Sequence, residues 1–152
     1  MTTVILNDTD QGQSWRDCVC IVDDEEGVRE LLCTLCESTG LTVEAFDSAE
    51  SFLSHYDPEK ARCLVLDMQL PKMSGLELLE KLKMKGITLP VIMMSANADP
   101  AVVVRAMSFG VVDFFDKPFN NHALLNRILE IIAQGRSARC CGYRQDSCSF
   151  AG

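Results

Sequence analysis

Four apolar runs of this sequence are followed by side chains that could do chemistry together. Asp23 and Asp24 end the first run, Asp67 ends the second, Ser95 ends the third, and Lys117 closely follows the fourth. The carboxyl ends of parallel strands meet at one edge of a sheet, where open α/β sheets bind their ligands. If the four runs are parallel strands, we expect three carboxylates, a hydroxyl and an ammonium in one cleft.

This set of groups suits metal-dependent phosphoryl transfer. Carboxylates held close together repel one another, so a cation is needed between them. Mg²⁺ fits, because it takes one or two carboxylates and keeps coordinated water for the oxygens of a substrate. A carboxylate oxygen could then attack phosphorus, while the metal, Lys117 and Ser95 stabilise the phosphoryl oxygens.

The elements that must place these side chains alternate regularly along the chain. Apolar runs typical of buried strands are followed by helix-like stretches, which favours a parallel sheet covered by helices. We predict strands near residues 18–22, 41–46, 63–67, 91–95 and 111–115. Five helices are predicted between and after these strands. The first ends at Gly40, and the second begins at Ser48. The third runs from a capping box at Ser74 to Gly86, the fourth occupies about 99–109, and the fifth runs from Asn120 or Asn121 to Gly135.

Length and composition indicate the number of domains, the kinds of partner and the compartment of the protein. The 152 residues carry a formal net charge of −8 and predict one domain at 17–134, with a flexible arm at 1–16 and a flexible tail at 135–152. The acidic balance disfavours direct contact with nucleic acid. No signal peptide or run of transmembrane length is visible, and the eight cysteines suit reduced thiols, so we expect a cytoplasmic protein without membrane contact.

Five motifs, in this order, resemble the receiver domain of bacterial two-component response regulators, of the kind that often precedes a LuxR-type helix-turn-helix domain. The motifs are Val22-Asp23-Asp24, Leu66-Asp67-Met68-Gln69-Leu70-Pro71, Met73-Ser74-Gly75-Leu76-Glu77, Met94-Ser95-Ala96 and Phe115-Asp116-Lys117-Pro118-Phe119. The resemblance covers about residues 17–134. It implies a flavodoxin-like (βα)5 fold, an α/β architecture whose five-stranded parallel sheet carries helices on both faces.

The resemblance also implies a role for each matching residue. Asp67 would accept the phosphoryl group, and the peptide bond before Pro118 would be cis. The implied Mg²⁺ ligands are Asp23, Asp24, Asp67 and the backbone carbonyl of Gln69. The implied phosphoryl-binding and switch residues are Ser95, Ala96, Phe114 and Lys117.

The function implied by the resemblance is that of a phosphoacceptor. A sensor histidine kinase would donate the phosphoryl group, and the chain would be no enzyme beyond self-phosphorylation and slow autodephosphorylation. Many relatives carry Tyr where this chain has Phe114, so only the packing part of their switch is available here. The surface of the fourth helix, fifth strand and fifth helix would bind a second copy or a downstream protein.

Other interpretations of the same residues remain open. A Mg²⁺-dependent phosphohydrolase with an aspartyl nucleophile carries a general acid two residues later, where this chain has Gln69. A nucleotide- or flavin-binding module needs a glycine-rich loop where the acidic residues 23–26 stand. Asp23 and Asp24 alone could simply cap a helix. The sequence also leaves open whether the chain acts alone or as the regulatory part of a longer regulator.

Overall fold

The computed structural model describes residues 18–97 and 99–143, which fold as five strands alternating with five helices. The strands are β1 (Cys18–Val22), β2 (Thr42–Phe46), β3 (Ala61–Asp67), β4 (Val91–Ser95) and β5 (Val111–Asp116). The helices are α1 (Glu26–Glu37), α2 (Ala49–His55), α3 (Gly75–Met84), α4 (Pro100–Ser108) and α5 (Asn121–Tyr143). The alternation of strands and helices predicted from the sequence is confirmed.

The strands form one sheet in the order β2-β1-β3-β4-β5, and every neighbouring pair is parallel. Strands β1 and β4 are buried at every position, because helices cover both faces of the sheet. One core cluster lies under α2, α3 and α4 and includes Phe52 and Leu78. The other lies under α1 and α5 and includes Leu32 and Leu124. The predicted five-stranded parallel sheet with helices on both faces is confirmed.

Polar side chains start the helices next to the strand ends. Ser48 accepts a hydrogen bond from the backbone of Ser51 and so begins α2 as predicted. Ser74 and Glu77 form the predicted capping box of α3. Asp99 caps α4 through its side chain. These caps satisfy backbone N–H groups that have no partner within the helix, and they define where each helix leaves the sheet.

The predicted end of the last helix at Gly135 is wrong, because α5 continues to Tyr143. A glycine inside a helix costs only about 1 kcal/mol relative to alanine and keeps its backbone donor. No proline follows in residues 136–143, so nothing there forces the helix to end. The predicted tail therefore starts within a helix, while the predicted arm at 1–16 and residues 144–152 lie outside the described residues. At 23 residues α5 is the longest described helix, yet neither it nor any other described helix has the apolar length needed to cross a membrane.

Candidate functional site

The register of the sheet brings the polar strand ends to one edge. In the β1–β3 pair Val22 lies opposite Leu66, so Asp23 and Asp67 follow neighbouring positions. The last residue of β4, Ser95, lies opposite the last residue of β5. Since all five strands are parallel, their carboxyl ends lie side by side, as the sequence predicts.

Three carboxylates converge at this edge. One oxygen from each of Asp23, Asp24 and Asp67 lies within 4.8 Å of the others. Asp23 and Asp67 are buried, whereas Asp24 is exposed. Two buried carboxylates at this separation repel each other strongly, so positive charge is required for both to be ionised. Oxygen donors of this kind fit a hard divalent cation such as Mg²⁺.

Lys117 places its ammonium among the same carboxylates. Its Nζ donates to Oδ2 of Asp23 at 2.8 Å, to Oε1 of Glu25 at 3.2 Å and to Oδ2 of Asp67 at 3.3 Å. Partial burial of the lysine favours its neutral form, but the hydrogen bond to Asp23 and the negative charges around it outweigh this effect. The pKa of Lys117 is therefore raised above its usual range, and the side chain stays charged at neutral pH.

The carboxylate of Asp67 is held in a fixed orientation. Its Oδ1 accepts the backbone N–H of Gln69 at 3.0 Å, while Oδ2 faces Lys117. Burial raises the pKa of Asp67 to about 6, and the neighbouring Asp23 acts in the same direction, against the opposing effect of Gln69 and Lys117. The group is ionised at neutral pH but at a cost in free energy, so an added cation would stabilise it.

Helix α3 begins directly behind Asp67. The N–H of Gly75 donates to the backbone oxygen of Met68 at 3.0 Å. A Cβ atom built on Gly75 would lie 2.7 Å from the backbone oxygen of Asp67 and 2.8 Å from Cε of Met93. Only glycine allows this approach of helix to strand. Sequence reasoning used Gly75 only as part of a motif and missed this contact.

Ser95 and Ala96 occupy the edge next to Asp67. Ser95 is fully buried, and its Oγ accepts the backbone N–H of Asn97 at 3.1 Å, which leaves the hydroxyl hydrogen for another acceptor. The backbone oxygen of Ser95 accepts the N–H of Lys117 at 2.8 Å and so ties the start of the β5–α5 loop to β4. Ala96 lines the open space above the carboxylates.

Phe114 and Pro118 lie on either side of Lys117 in sequence and in different surroundings. Phe114 is opposite Met93 in the sheet and packs, partly buried, against the core cluster under α2, α3 and α4. It is not among the residues that line the cavity at the strand ends. The Lys117–Pro118 peptide bond is cis, as the resemblance implies.

The strand ends open into a cavity of about 640 Å³. Its charged floor includes Asp24, Glu25, Asp67 and Lys117, with Gln69 beside them. Its apolar wall residues are Val28, Leu31, Ala96, Pro118 and Phe119, and Asn121 also lines the cavity. The cavity therefore offers a charged site for a small anionic group next to a surface for a larger, partly apolar partner.

Two contacts of this site were not found from the sequence. Glu25 is a third partner of Lys117, although its side chain is largely exposed. Arg29 Nη1 donates to the backbone oxygen of Asp23 at 2.7 Å and so fixes the end of β1 to α1. The acidic run at 23–26 was the only local signal, because neither contact follows from motif spacing.

Residues 19–129 match the family model of the response regulator receiver domain. The chain belongs to this family. Its site geometry is consistent with the family's phosphoacceptor role in two-component signalling, since a buried aspartate at a strand end is surrounded by two further acids and a lysine. The resemblance noted from the five motifs is thus confirmed.

Several response regulators are similar to this chain. The response regulator protein TodT of Pseudomonas putida is 41% identical over 122 residues, which cover 78% of this chain and 54% of TodT. The transcriptional regulatory protein FixJ of Azorhizobium caulinodans is 39% identical over 134 residues, which cover 88% of this chain and 62% of FixJ. The low-resolution structure of the response regulator StyR matches with a TM-score of 0.77 and 41% identity, over 87% of this chain and 67% of StyR. This chain therefore spans 54% to 67% of the length of these relatives.

Proposed function

We propose that this receiver domain accepts a phosphoryl group on Asp67 from a sensor histidine kinase, in a Mg²⁺-dependent step that changes a partner-binding surface. The observation that carries the proposal is the convergence of Asp23, Asp24 and Lys117 on the buried Asp67 carboxylate. Phosphoryl transfer depends mainly on positioning and on positive charge around the transferred group, and this arrangement supplies both.

The Mg²⁺ ligands in this proposal are Asp23, Asp24, Asp67 and the backbone carbonyl of Gln69. The donor set supports this assignment, since three clustered carboxylates share one ammonium and an uncompensated negative charge remains. When bound, the ion withdraws charge from the phosphoryl oxygens and helps to orient the donor.

The chemical step is a substitution at phosphorus. An oxygen of Asp67 forms the new O–P bond, the P–N bond of a phosphohistidine breaks, and its electron pair returns to the imidazole of the kinase. Lys117, whose Nζ is 3.3 Å from Asp67, pairs with one phosphoryl oxygen. The hydroxyl of Ser95 donates to another, and the small Ala96 leaves the phosphorus accessible.

The apolar wall of the cavity supports a protein as the donor. Val28 and Leu31 of α1 line the same cavity as Pro118, Phe119 and the carboxylates of Asp24 and Asp67. The side chain of Leu31 is 38% exposed and lines the cavity. An apolar kinase surface beside the phosphohistidine would cover this wall and exclude water from the transfer.

Ser95 and Phe114 connect phosphorylation with the protein surface. Movement of the Ser95 hydroxyl toward the phosphoryl group opens space at the end of β4, and Phe114 can turn into it from its half-buried position. Because phenylalanine has no hydroxyl, the inward position is stabilised by packing alone. The rearrangement would repack the surface formed by α4, β5 and α5.

That surface has the composition of a protein contact. Val104 and Met107 of α4 are exposed at 69% and 46%. On β5 and α5, Asp113 pairs with Arg127 at 3.0 Å, and Arg127 pairs with Glu130. Apolar side chains bordered by charges are typical of protein interfaces. A second copy of the chain or a downstream protein therefore binds here in our proposal, and the acidic receiver makes no direct contact with nucleic acid.

The compartment that we propose is the cytoplasm. The five cysteines between residues 18 and 135 are free thiols, and four of them are buried. Free thiols persist in a reducing environment, where a sensor kinase also has its nucleotide substrate.

The phosphohydrolase alternative is not favoured. Residues 19–129 match the receiver family, and the amide of Gln69 cannot act as the general acid that such a hydrolase needs two residues after its nucleophile.

Substitution of the acceptor tests the proposal directly. The protein is incubated with Mg²⁺ and acetyl phosphate, and intact-mass spectrometry should show one added phosphoryl group that hydroxylamine removes. Asp67→Asn should abolish the addition. Asp47→Asn is the matched control, because Asp47 is also an acid that follows a strand, yet it is exposed and outside the carboxylate cluster. A phosphoryl group retained by Asp67→Asn would refute the assignment.

A further inference from the structure

The first half of β1 carries a second cluster of metal-ligating side chains, away from the carboxylate site. Cys18 and Cys20 alternate with Val19 along the strand and therefore point to the same face of the sheet. Glu44 of β2 lies directly opposite Cys20 in the parallel register. Both Sγ atoms and one carboxylate oxygen of Glu44 lie within 4.8 Å of one another.

The spacing of these atoms suits one metal ion. Zinc–sulfur bonds are about 2.3 Å long and zinc–carboxylate bonds are about 2.0–2.2 Å. Two sulfurs on one tetrahedral zinc ion are therefore about 3.8 Å apart. All three ligand atoms lie within 4.8 Å of one another, so side-chain movements of about 1 Å would bring them to this spacing.

The two cysteines of the cluster are shielded from solvent, whereas its carboxylate is accessible to an ion from solution. Cys18 is 3% exposed and Cys20 is fully buried, whereas Glu44 is exposed. Glu44 makes no hydrogen bond or ion pair within the described part of the chain, so its carboxylate is available as a ligand. An ion would thus enter from the Glu44 side and be shielded by the core cluster under α2 on the other.

The two thiols already interact with each other. Interaction with the Cys20 thiol lowers the pKa of Cys18, while interaction with the Cys18 thiol, together with burial, raises the pKa of Cys20. Glu44 adds negative charge beside both sulfurs and makes loss of both protons unfavourable without a cation. A divalent ion in place of the thiol protons would compensate this charge.

We propose that Cys18, Cys20 and Glu44 form a binding site for one thiophilic divalent cation, Zn²⁺ or Cd²⁺, that bridges β1 and β2. Two sulfur–metal bonds and one oxygen–metal bond form, the thiol protons go to solvent, and water fills the remaining position without any change of oxidation state. The hard Mg²⁺ prefers the all-oxygen cluster at the other site, so the two sites select ions by ligand chemistry. If these cysteines served only as small apolar core residues, no stoichiometric binding would be expected.

Cd²⁺ is the probe for this site, because cadmium–thiolate bonds absorb in the ultraviolet and cadmium–carboxylate bonds do not. The titration uses the full chain, reduced with a phosphine and saturated with Mg²⁺. Serine replaces four other cysteines, namely Cys33, Cys140, Cys141 and Cys148. We expect one equivalent of Cd²⁺ to produce the thiolate absorption in the folded protein and to raise its Tm, since an ion that binds the native state stabilises it.

Matched single substitutions then distinguish loss of the metal site from a general effect of substitution in the core. In this background Cys20→Ala should remove the absorption. Cys63→Ala should keep it, because Cys63 is equally buried but lies on β3 in the opposite core cluster. Glu44→Gln keeps both thiols and should weaken Cd²⁺ binding by about tenfold or more.

A second variant tests the site independently, in case the Cys20→Ala protein does not fold. Cys18→Ser, at the first position of β1, should also remove the absorption while circular dichroism remains that of the parent. The proposal is overturned if the folded parent shows no thiolate absorption, or if the absorption appears only after denaturation. It is equally overturned if folded Cys18→Ser or Cys20→Ala retains the full absorption.

Discussion

At the scale of single residues, the phosphoacceptor site depends on charges that compensate one another. Asp23 and Asp67 are buried acids, and Lys117 reaches both of them. Removal of one partner leaves the others with uncompensated charge, so a substitution acts through the residues that remain. Stability without metal and stability with Mg²⁺ therefore respond in different ways to the same substitution.

Asp67→Asn should stabilise the Mg²⁺-free protein by about 1–3 kcal/mol at about pH 7.5. The pKa of Asp67 is about 6 in the folded protein, above its ordinary value of 3.8. The folded state therefore holds this proton more tightly than the unfolded state, and stability falls as pH rises between these two values. Urea unfolding measures the difference, which should disappear near pH 4. Equal stability of both proteins at about pH 7.5 would contradict the pKa argument.

Lys117→Ala should destabilise the Mg²⁺-free protein by about 2–4 kcal/mol, because the fully buried Asp23 loses its partner at 2.8 Å. Mg²⁺ should restore most of the loss, since the ion supplies positive charge to the same carboxylates. Urea unfolding with and without Mg²⁺ tests both statements. Lys60→Ala, which breaks an exposed pair with Asp57, should have little effect. A loss that Mg²⁺ leaves unchanged would argue against the proposed metal position.

At the scale of elements, the site is built from strand ends and the helices that start beside them. Asp23 is tied to α1 by Arg29, and Asp67 is backed by the start of α3 at Gly75. The loop after β5 is tied to β4 by the backbone bond between Lys117 and Ser95. The positions of the charged groups therefore depend on how closely each helix packs against the sheet.

Gly75→Ala tests this dependence. The added methyl would lie 2.7 Å from the backbone oxygen of Asp67, so α3 or the end of β3 must move. We expect a loss of about 1–3 kcal/mol in the free energy of unfolding and weaker Mg²⁺ binding, measured by urea unfolding and by titration.

Gly27→Ala is the control, because a methyl at this position in α1 meets no atom within 4 Å. This substitution should leave stability unchanged or slightly raised, since alanine favours the helix. Unaltered Mg²⁺ affinity in Gly75→Ala would show that the contact behind Asp67 has no influence on the site.

At the scale of the whole molecule, the proposed phosphoacceptor site and the proposed contact surface lie on different parts of one sheet. The charged cavity opens at the carboxyl ends of the strands, while the exposed apolar residues of α4 lie on the flank next to β5. In our proposal Phe114, which lies on β5 and packs against the core cluster under α2, α3 and α4, connects the two.

Val104→Glu tests the flank as a contact surface between copies. If phosphorylation promotes a dimer through α4, β5 and α5, the new carboxylate should prevent dimerisation by the protein treated with beryllofluoride, a phosphoryl mimic, without changing phosphorylation of Asp67. Light scattering after size-exclusion chromatography measures the mass. Met84→Glu places the same charge at an exposed apolar residue of α3 and should leave the dimer intact. An unchanged dimer in Val104→Glu would exclude this part of the surface.

The sequence alone predicted the elements and most of the site because their signals are local. Apolar runs marked the strands, and caps such as Ser48 and Ser74 marked helix starts. The end of α5 was predicted wrongly, since a glycine such as Gly135 disfavours a helix by too little to end it. Short motifs placed Asp23 and Asp67 correctly at one edge of the sheet, because parallel strands align their carboxyl ends.

Tertiary structure alone decided the contacts between side chains that are far apart in the chain. The bond from Lys117 to Glu25, the approach of Gly75 to Asp67, and the juxtaposition of Cys20 with Glu44 all depend on strand order and register. Local hydrophobic patterns state which face of an element is buried, but they carry no information about which residue lies opposite. That choice is made by the packing of the whole sheet against its helices, where a shift of one residue would reverse every side chain of a strand.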